Sequence, residues 1–166
     1  SLRSAQGLYS WFDRDRYNVY IVVIRKNDWH VNLHDGSIAP IDKNDFSFKH
    51  KDKKGEKTTF DYAYITIHGT PGENGILQGY FDLLQIPYST SNVLVESLTF
   101  NKFVLNQFLR GFGVKVAESV LVREGQLVDP QQIADKVGLP CFIKPNAGGS
   151  SFGVTHCKVL DDVLPA

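Results

Sequence analysis

The spacing of apolar residues in the first half of the chain changes from helical to strand-like and back. Apolar side chains recur at helical intervals over residues 2–12, which predicts an opening helix. Residues 17–25 form a nearly continuous apolar run, typical of a strand buried on both faces of a parallel sheet. Residues 60–67, rich in Tyr and Ile, predict a further strand. A helix is predicted directly after it, with one apolar face formed by Ile76, Leu77, Tyr80, Phe81 and Leu84.

Turn and cap residues add the remaining elements. Asp35-Gly36 predicts a hairpin turn, and a lysine-rich stretch at residues 43–57 predicts a solvated loop. Thr99 is predicted to cap a helix over residues 99–111, and Asp129-Pro130 to begin a helix through Val137. Further strands are predicted at residues 114–123, 141–144 and 154–159. A last helix is predicted after Asp161 and Asp162 and is cut off at residue 166.

Composition and charge exclude several partner classes. Lys plus Arg and Asp plus Glu number 18 each, so no net charge favours nucleic acid or an anionic membrane. No apolar run approaches the roughly 20 residues of a membrane-spanning helix, and no signal-peptide pattern opens the chain. Cys141 and Cys157 lack metal-ligand spacing and are expected to be free thiols in a reducing cytoplasm. A chain without methionine is expected to be part of a longer product.

The densest group of candidate site residues follows the predicted strand at residues 60–67. Residues 68–79 place His68 and Glu73 among four glycines. Because glycine loses much backbone entropy and packs no side chain, this density indicates sharp turns or a close backbone approach. Ligands of open α/β sheets bind at the carboxyl ends of strands, so the position predicts a site. A structural histidine is the alternative.

A second candidate site lies at residues 148–153, between the last two predicted strands. Successive backbone N–H groups and two hydroxyls there suit phosphate oxygens, and Lys144 at the base of the loop supplies a cation. A plain hairpin turn is the alternative. The chain contains no G-x-x-x-x-G-K-[ST] motif, so a Walker-type nucleotide site is excluded.

The same loop also matches the G-x-S-x-G motif of α/β-hydrolases. That motif requires a helix directly after its nucleophilic serine, which here is Ser151. The residues that follow, 154–159, are β-branched and strand-like, and only His156 comes later as a base. We therefore reject the hydrolase interpretation.

In this order the segments resemble the D-alanine-D-alanine ligase family of the ATP-grasp superfamily. Residues 68–79 fit the pattern H-G-x-x-G-E-[DN]-G-x-x-Q-G at every fixed position, and residues 144–154 fit K-P-x-x-x-G-S-S-x-G-V. Residues 86–88 and 97–102 agree with the intervening family segment, and residues 1–4 resemble the end of its E-x-x-V-S-x-x-S segment. The resemblance covers essentially the whole chain.

The resemblance implies an α/β fold in two parts. Residues 1–95 are expected to form an N-terminal substrate-side domain, an open and mainly parallel sheet flanked by helices that is known as a pre-ATP-grasp domain. Residues 96–166 are expected to form the first α+β part of a truncated ATP-grasp domain. About half of such an enzyme, including its magnesium ligands and adenine hinge, lies outside the chain, and the family's substrate-binding Glu would precede Ser1. The fragment alone is expected to be inactive.

The resemblance also implies roles for the matched residues. On the phosphate side, Lys102 and Lys144 would contact ATP phosphates, and the backbone of Gly149, Ser150 and Ser151 would cover them. The family pattern M-D-K-x-x-x-K is met only at Lys102, because Asn106 replaces the second lysine.

On the substrate side, His68 would bind the carboxylate of the first D-alanine. Ser150 would hold a hydrogen-bond network, and Glu73 would support His68. No metal ligand is expected within the chain.

The implied function is ATP- and Mg²⁺-dependent joining of two D-alanine molecules through an acyl phosphate, for peptidoglycan precursors of the cell wall. The family resemblance further implies a cytoplasmic homodimer with neither nucleic acid nor membrane as a partner. Two alternatives stay open: a ligase that makes D-alanyl-D-lactate or D-alanyl-D-serine, and a nucleotide-binding ATP-grasp relative without turnover.

Overall fold

The computed structural model describes residues 1–50 and 56–164. The chain divides into two units, one of Ser1–Gly72 with Ile76–Asn92 and the other of Glu73–Gly75 with Val93–Ala166. Residues 51–55 of the predicted lysine-rich loop and the end of the predicted last helix, residues 165–166, lie outside the described residues.

The regular elements of the described residues are short helices and strands. The α-helices are α1 (Leu2–Trp11), α2 (Ile76–Leu83), α3 (Val93–Phe100), α4 (Lys102–Gly111) and α5 (Pro130–Val137). The strands are β1 (Ile21–Arg25), β2 (Asp28–Asn32), β3 (Ile38–Pro40), β4 (Phe48–Lys49), β5 (Lys57–Thr58), β6 (Cys141–Ile143) and β7 (Thr155–Cys157). The predicted α/β class and the helices α1, α2 and α5 are confirmed.

The sheets of the first unit are antiparallel. Strands β1, β2 and β3 form one sheet in that order, and β4 pairs with β5. The predicted turn at Asp35-Gly36 joins β2 to β3, where Ser37 N–H donates to Asp35 Oδ1 (2.8 Å). Tight turns of this kind connect only antiparallel neighbours, because a parallel pair needs a long crossover. The described ladders therefore do not form the mainly parallel sheet that the sequence predicts.

Residues 60–67 form no ladder among the described residues. Their regular pairing is a single parallel bridge between Ala63 and Tyr88. In it Ala63 N–H donates to the Pro87 carbonyl and Ser89 N–H donates to the Ala63 carbonyl (2.9 and 3.1 Å). One side of the segment is partly buried, since Ala63, Ile65 and other residues pack against the core, whereas Tyr62 and Tyr64 are more than half exposed.

The core of the first unit joins its sheets to α2. The buried apolar side chains in it are Val31, Ala39, Ile41, Phe46, Phe48, Leu77, Phe81 and Ile86. Leu77 and Phe81 lie four residues apart on α2, so they share one face of the helix. This packing fixes the start of α2 within the first unit.

The second unit corrects two predictions. Asn101, and not Thr99, caps α4, because the Asn101 side chain accepts from Val104 N–H while the Thr99 hydroxyl donates back to the Val95 carbonyl in α3 (3.0 and 2.8 Å). Residues 114–123 form no strand, because they make no ladder of backbone hydrogen bonds with any other strand among the described residues. Arg110 instead pairs with Glu118 (2.9 Å).

Strands β6 and β7 form the predicted hairpin of the second unit. Cys141 lies directly opposite Cys157, and both are free thiols, as predicted. Burial is the main cause that raises the pKa of the Cys157 thiol. Residues 144–154, which connect β6 to β7, therefore begin and end next to paired strands.

Candidate functional site

His68 lies at the end of residues 60–67, with an exposed side chain. Its backbone N–H donates to Ser1 Oγ (3.1 Å). The chain then turns, since Gly69 adopts a φ of +73° and Gly72 N–H donates to the Gly69 carbonyl (2.8 Å). We call residues 68–72 the His68 loop.

Two glycines of this region, Gly72 and Gly75, are required by close contacts, in agreement with the predicted close approach of the backbone. A Cβ on Gly72 would lie 2.2 Å from the Ile67 carbonyl oxygen. A Cβ on Gly75 would lie 2.3 Å from Ser97 Oγ, and Gly75 also has a φ of +85°. Real side chains do not occupy such positions, so any larger residue would displace the loop.

Gln78 is a polar residue of the pattern at residues 68–79, and it is buried. It is 0% exposed on α2. Its Nε2 group donates to the Gly72 carbonyl (2.7 Å) and to Thr90 Oγ1 (2.9 Å). The available signal was an amide next to Leu77 on an otherwise apolar helix face, but its partners are not visible in the sequence.

The second unit brings the predicted phosphate-binding residues together. A pocket of about 400 Å³ in this unit has the following lining: Lys102, Phe142, Lys144, Pro145, Gly148, Gly149, Ser150, Ser151, Phe152 and Val154. All five residues predicted to bind ATP are in this lining. We call residues 148–153 the glycine-serine loop.

Lys102 is held against the base of this loop. Its ammonium donates to the Gly148 carbonyl (2.6 Å), and its backbone N–H donates to the Asn146 carbonyl (3.0 Å). Lys144 reaches the same pocket from the end of β6 and is exposed. Two cations on one pocket favour an anionic ligand.

An asparagine pair that sequence reasoning missed joins α4 to the loop. Asn146 Oδ1 accepts from Phe103 N–H, and Asn146 Nδ2 donates to Asn101 Oδ1 (both 2.9 Å). Asn101 also caps α4, so the first turn of the helix and the start of the loop share one hydrogen-bond network. This network positions Lys102, which is the first residue of α4.

The glycine-serine loop has an unusual backbone. Ser150 and Ser151 both adopt left-handed conformations, with φ of 53° and 56°. Such conformations cost free energy for non-glycine residues and concentrate at ligand sites. Strand β7 follows the loop, which agrees with rejecting the hydrolase motif because that motif needs a helix there.

Glu73 and His68 belong to different units. Glu73 lies in the second unit, where a Cβ on Gly149 would be 3.8 Å from Glu73 Oε2. His68 belongs to the first unit. The predicted support of His68 by Glu73 therefore stays a prediction.

Metal-binding clusters and membrane helices are not found where the structure describes the chain. Within residues 1–50 and 56–164, no three His, Cys, Asp or Glu side chains gather in a way that suits a metal ion. No helix in those ranges has the length and apolar character needed to cross a bilayer.

Family models match most of the chain. One described as "D-ala D-ala ligase N-terminus" matches residues 1–91, and one described as "D-ala D-ala ligase C-terminus" matches residues 108–166. The chain is 64% identical over 166 residues to a D-alanine–D-alanine ligase of Phocaeicola vulgatus and 57% identical to one of Bacteroides fragilis. Each of these two alignments covers 100% of this chain and 50% of the relative. The chain thus spans about half the length of these curated relatives.

Solved structures share the fold. A D-alanine-D-alanine ligase from Coxiella burnetii superposes with a TM-score of 0.78 at 24% identity, covering 97% of this chain and 52% of that one. The VanG D-Ala:D-Ser ligase from Enterococcus faecalis superposes with a TM-score of 0.75 at 23% identity, covering 94% of this chain and 50% of that one. At these identities the likeness concerns the fold alone.

Proposed function

Since the chain belongs to the D-alanine-D-alanine ligase family, we propose that it supplies part of the active site of an ATP-dependent ligase. This enzyme joins two D-alanine molecules to D-alanyl-D-alanine, a peptidoglycan precursor. The observation that carries the proposal is the convergence of Lys102, Lys144 and the glycine-serine loop on one pocket.

The chemistry requires cations at this pocket. A carboxylate is a poor acyl donor, and ATP would supply the phosphoryl group that activates the first D-alanine. Charge that builds up on the transferring phosphoryl group must be neutralised by fixed positive groups. Lys102 is held by Gly148 and the asparagine pair, so its charge is preorganised, whereas Lys144 provides the exposed cation. The N–H groups of Gly149, Ser150 and Ser151 would donate to phosphate oxygens.

The substrate side of the proposal involves His68, Ser150 and Glu73. His68 would bind the carboxylate of the first D-alanine from its exposed place at the end of residues 60–67. Ser150 would hold the hydrogen-bond network between substrates, and Glu73 would support His68. Mg²⁺ would be bound by groups other than those described.

The finer organisation is part of the same proposal. Residues 1–95 would form the pre-ATP-grasp domain and residues 96–166 the start of the ATP-grasp domain. The parallel bridge at Ala63 supports parallel pairing in the first part, and the hairpin of β6 and β7 with its glycine-serine loop supports the second assignment. The whole enzyme is proposed to be a cytoplasmic homodimer.

Phosphate release by a ligase of full family length that carries residues 1–166 tests the function. With ATP, Mg²⁺ and D-alanine, we expect release coupled to dipeptide formation, and Lys144→Ala should lower kcat/KM by about 100-fold or more. Lys115→Ala, a change at an exposed lysine outside the pocket, is the matched control and should leave activity unchanged. Wild-type activity in Lys144→Ala or His68→Ala would refute the site.

The identity of the second substrate is tested by competition. D-serine and D-lactate are the two rival second substrates. We expect D-alanyl-D-alanine to predominate when all three compounds compete. Predominance of a mixed product would assign the chain to the corresponding ligase, and ATP binding without turnover would indicate a non-catalytic relative.

A further inference from the structure

Gln78 stands out as a fully buried amide in the apolar packing of α2. The other buried side chains of that helix are Leu77 and Phe81. A buried polar group is costly unless it finds hydrogen-bond partners. The partners of Gln78 therefore indicate why an amide occupies this position.

Both donors of Gln78 are used within the first unit. Nε2 donates to the Gly72 carbonyl (2.7 Å) and to Thr90 Oγ1 (2.9 Å). A carbonyl only accepts, so the contact with Gly72 fixes which end of the amide faces the His68 loop. The Thr90 hydroxyl donates to the Ser91 carbonyl (3.3 Å), which leaves its oxygen as the acceptor for Gln78.

The contact with Gly72 acts on the residues that flank His68. Gly72 N–H donates to the Gly69 carbonyl (2.8 Å), directly after His68. Gly72 also lies so close to Ile67, directly before His68, that a Cβ would be 2.2 Å from the Ile67 carbonyl oxygen. Holding the Gly72 carbonyl therefore fixes the backbone on both sides of His68.

The contact with Thr90 acts on the segment that carries His68. Next to Thr90, the Ser89 hydroxyl accepts from Ile65 N–H (3.0 Å), and Ser89 N–H donates to the Ala63 carbonyl (3.1 Å). One amide thus connects the His68 loop to the segment that pairs with residues 63–65.

The side-chain oxygen of Gln78, unlike its nitrogen, is not hydrogen-bonded to any of the described residues. Its Oε1 atom is buried and has no hydrogen-bond partner within residues 1–50 and 56–164. Leucine would fill similar space without burying an unsatisfied oxygen, so packing alone favours leucine. The two donors are what glutamine supplies here.

We propose that Gln78 is a positioning residue for D-alanine binding, acting through Gly72 on the backbone that presents His68. The proposal rests on the ligase function proposed above. It predicts a defect confined to D-alanine, because the glycine-serine loop belongs to the other unit and makes none of these contacts.

The test compares Gln78→Leu and Gln78→Glu with Gln107→Leu, a control at an exposed glutamine of α4, in a ligase of full family length. We expect Gln78→Leu to raise the apparent KM for D-alanine about 10-fold or more, with the KM for ATP changed less than about twofold. Gln107→Leu should change neither. A purely structural role would lower the unfolding temperature and leave both KM values unchanged.

Gln78→Glu adds a readout that does not depend on the leucine variant folding. A neutral carboxyl group can donate to the Gly72 carbonyl, whereas a carboxylate only accepts and repels it. Burial favours the neutral form, so the activity of Gln78→Glu relative to wild type should fall as pH rises.

Two outcomes would overturn the inference: a pH-independent activity ratio for Gln78→Glu, or an unchanged KM for D-alanine in folded Gln78→Leu. A wild-type enzyme without ligase activity would instead refute the proposed function.

Discussion

The His68 loop and the glycine-serine loop both contain glycines, but the space around Gly72 differs from the space around Gly148 and Gly149. At Gly72 an added Cβ would meet the Ile67 carbonyl oxygen at 2.2 Å, within the protein itself. At Gly148 an added Cβ would meet nothing within 4 Å, and at Gly149 only Glu73 Oε2 at 3.8 Å. Gly72 is therefore needed for internal packing. At Gly148 and Gly149 there is room in front of the backbone, as a phosphate-binding loop requires.

The largest expected effect is on stability, at Gly72. Gly72→Ala should lower the free energy of unfolding by about 3 kcal/mol or more, because backbone atoms of Ile67 must move. Gly7→Ala is the control, since Gly7 lies in α1 with nothing within 4 Å, and should stabilise by about 0.5–1 kcal/mol. Urea denaturation measures both changes. Equal effects of the two variants would remove the packing explanation for the His68 loop.

Features that depend on neighbouring residues are predictable from the sequence, whereas features that depend on distant pairing partners are not. Helices α1, α2 and α5 and the turns that join β2 to β3 and β6 to β7 follow from local spacing, caps and turn residues, and the sequence predicts them correctly, whereas it does not predict the β1–β2 and β4–β5 pairs. The strand at residues 114–123 and the mainly parallel sheet depend on distant pairing partners, which one sequence does not display. Thr99 and Asn101 are both good caps, and only the hydrogen bonds decide between them. Gln78 and Asn146 were missed for the same reason, because their partners lie far along the chain.

A smaller effect is expected where the glycine-serine loop meets α4. Asn146→Ala removes the acceptor of Phe103 N–H and the donor to Asn101. We expect a loss of about 1–2 kcal/mol in unfolding free energy. Gln107→Ala, on the exposed side of the same helix, should stay within about 0.5 kcal/mol of wild type. If both variants unfold at the same urea concentration, the asparagine pair does not hold the loop.

The smallest effect is a pH dependence at the end of the hairpin. Backbone N–H groups of Lys158 and Val159 hold the pKa of Asp162 below its ordinary value of 3.8. The folded pKa is thus below the unfolded one, so the stabilisation is complete above that ordinary value and is lost as pH falls through the folded pKa.

Asp162→Asn should therefore reduce the loss of stability between pH 7 and about pH 3, as measured by urea unfolding at each pH. An identical pH dependence in wild type and variant would contradict this assignment.

The most direct test of the phosphate site is Gly149→Ala in a ligase of full family length, with the KM for ATP and the unfolding temperature measured on the same preparation. A methyl group at this position would make only an ordinary van der Waals contact with Glu73 Oε2 at 3.8 Å, but it would obstruct a phosphate against the loop. The account predicts a KM for ATP raised about 10-fold or more, with an unfolding temperature within about 2 °C of wild type. An unchanged KM for ATP in the folded variant would contradict it.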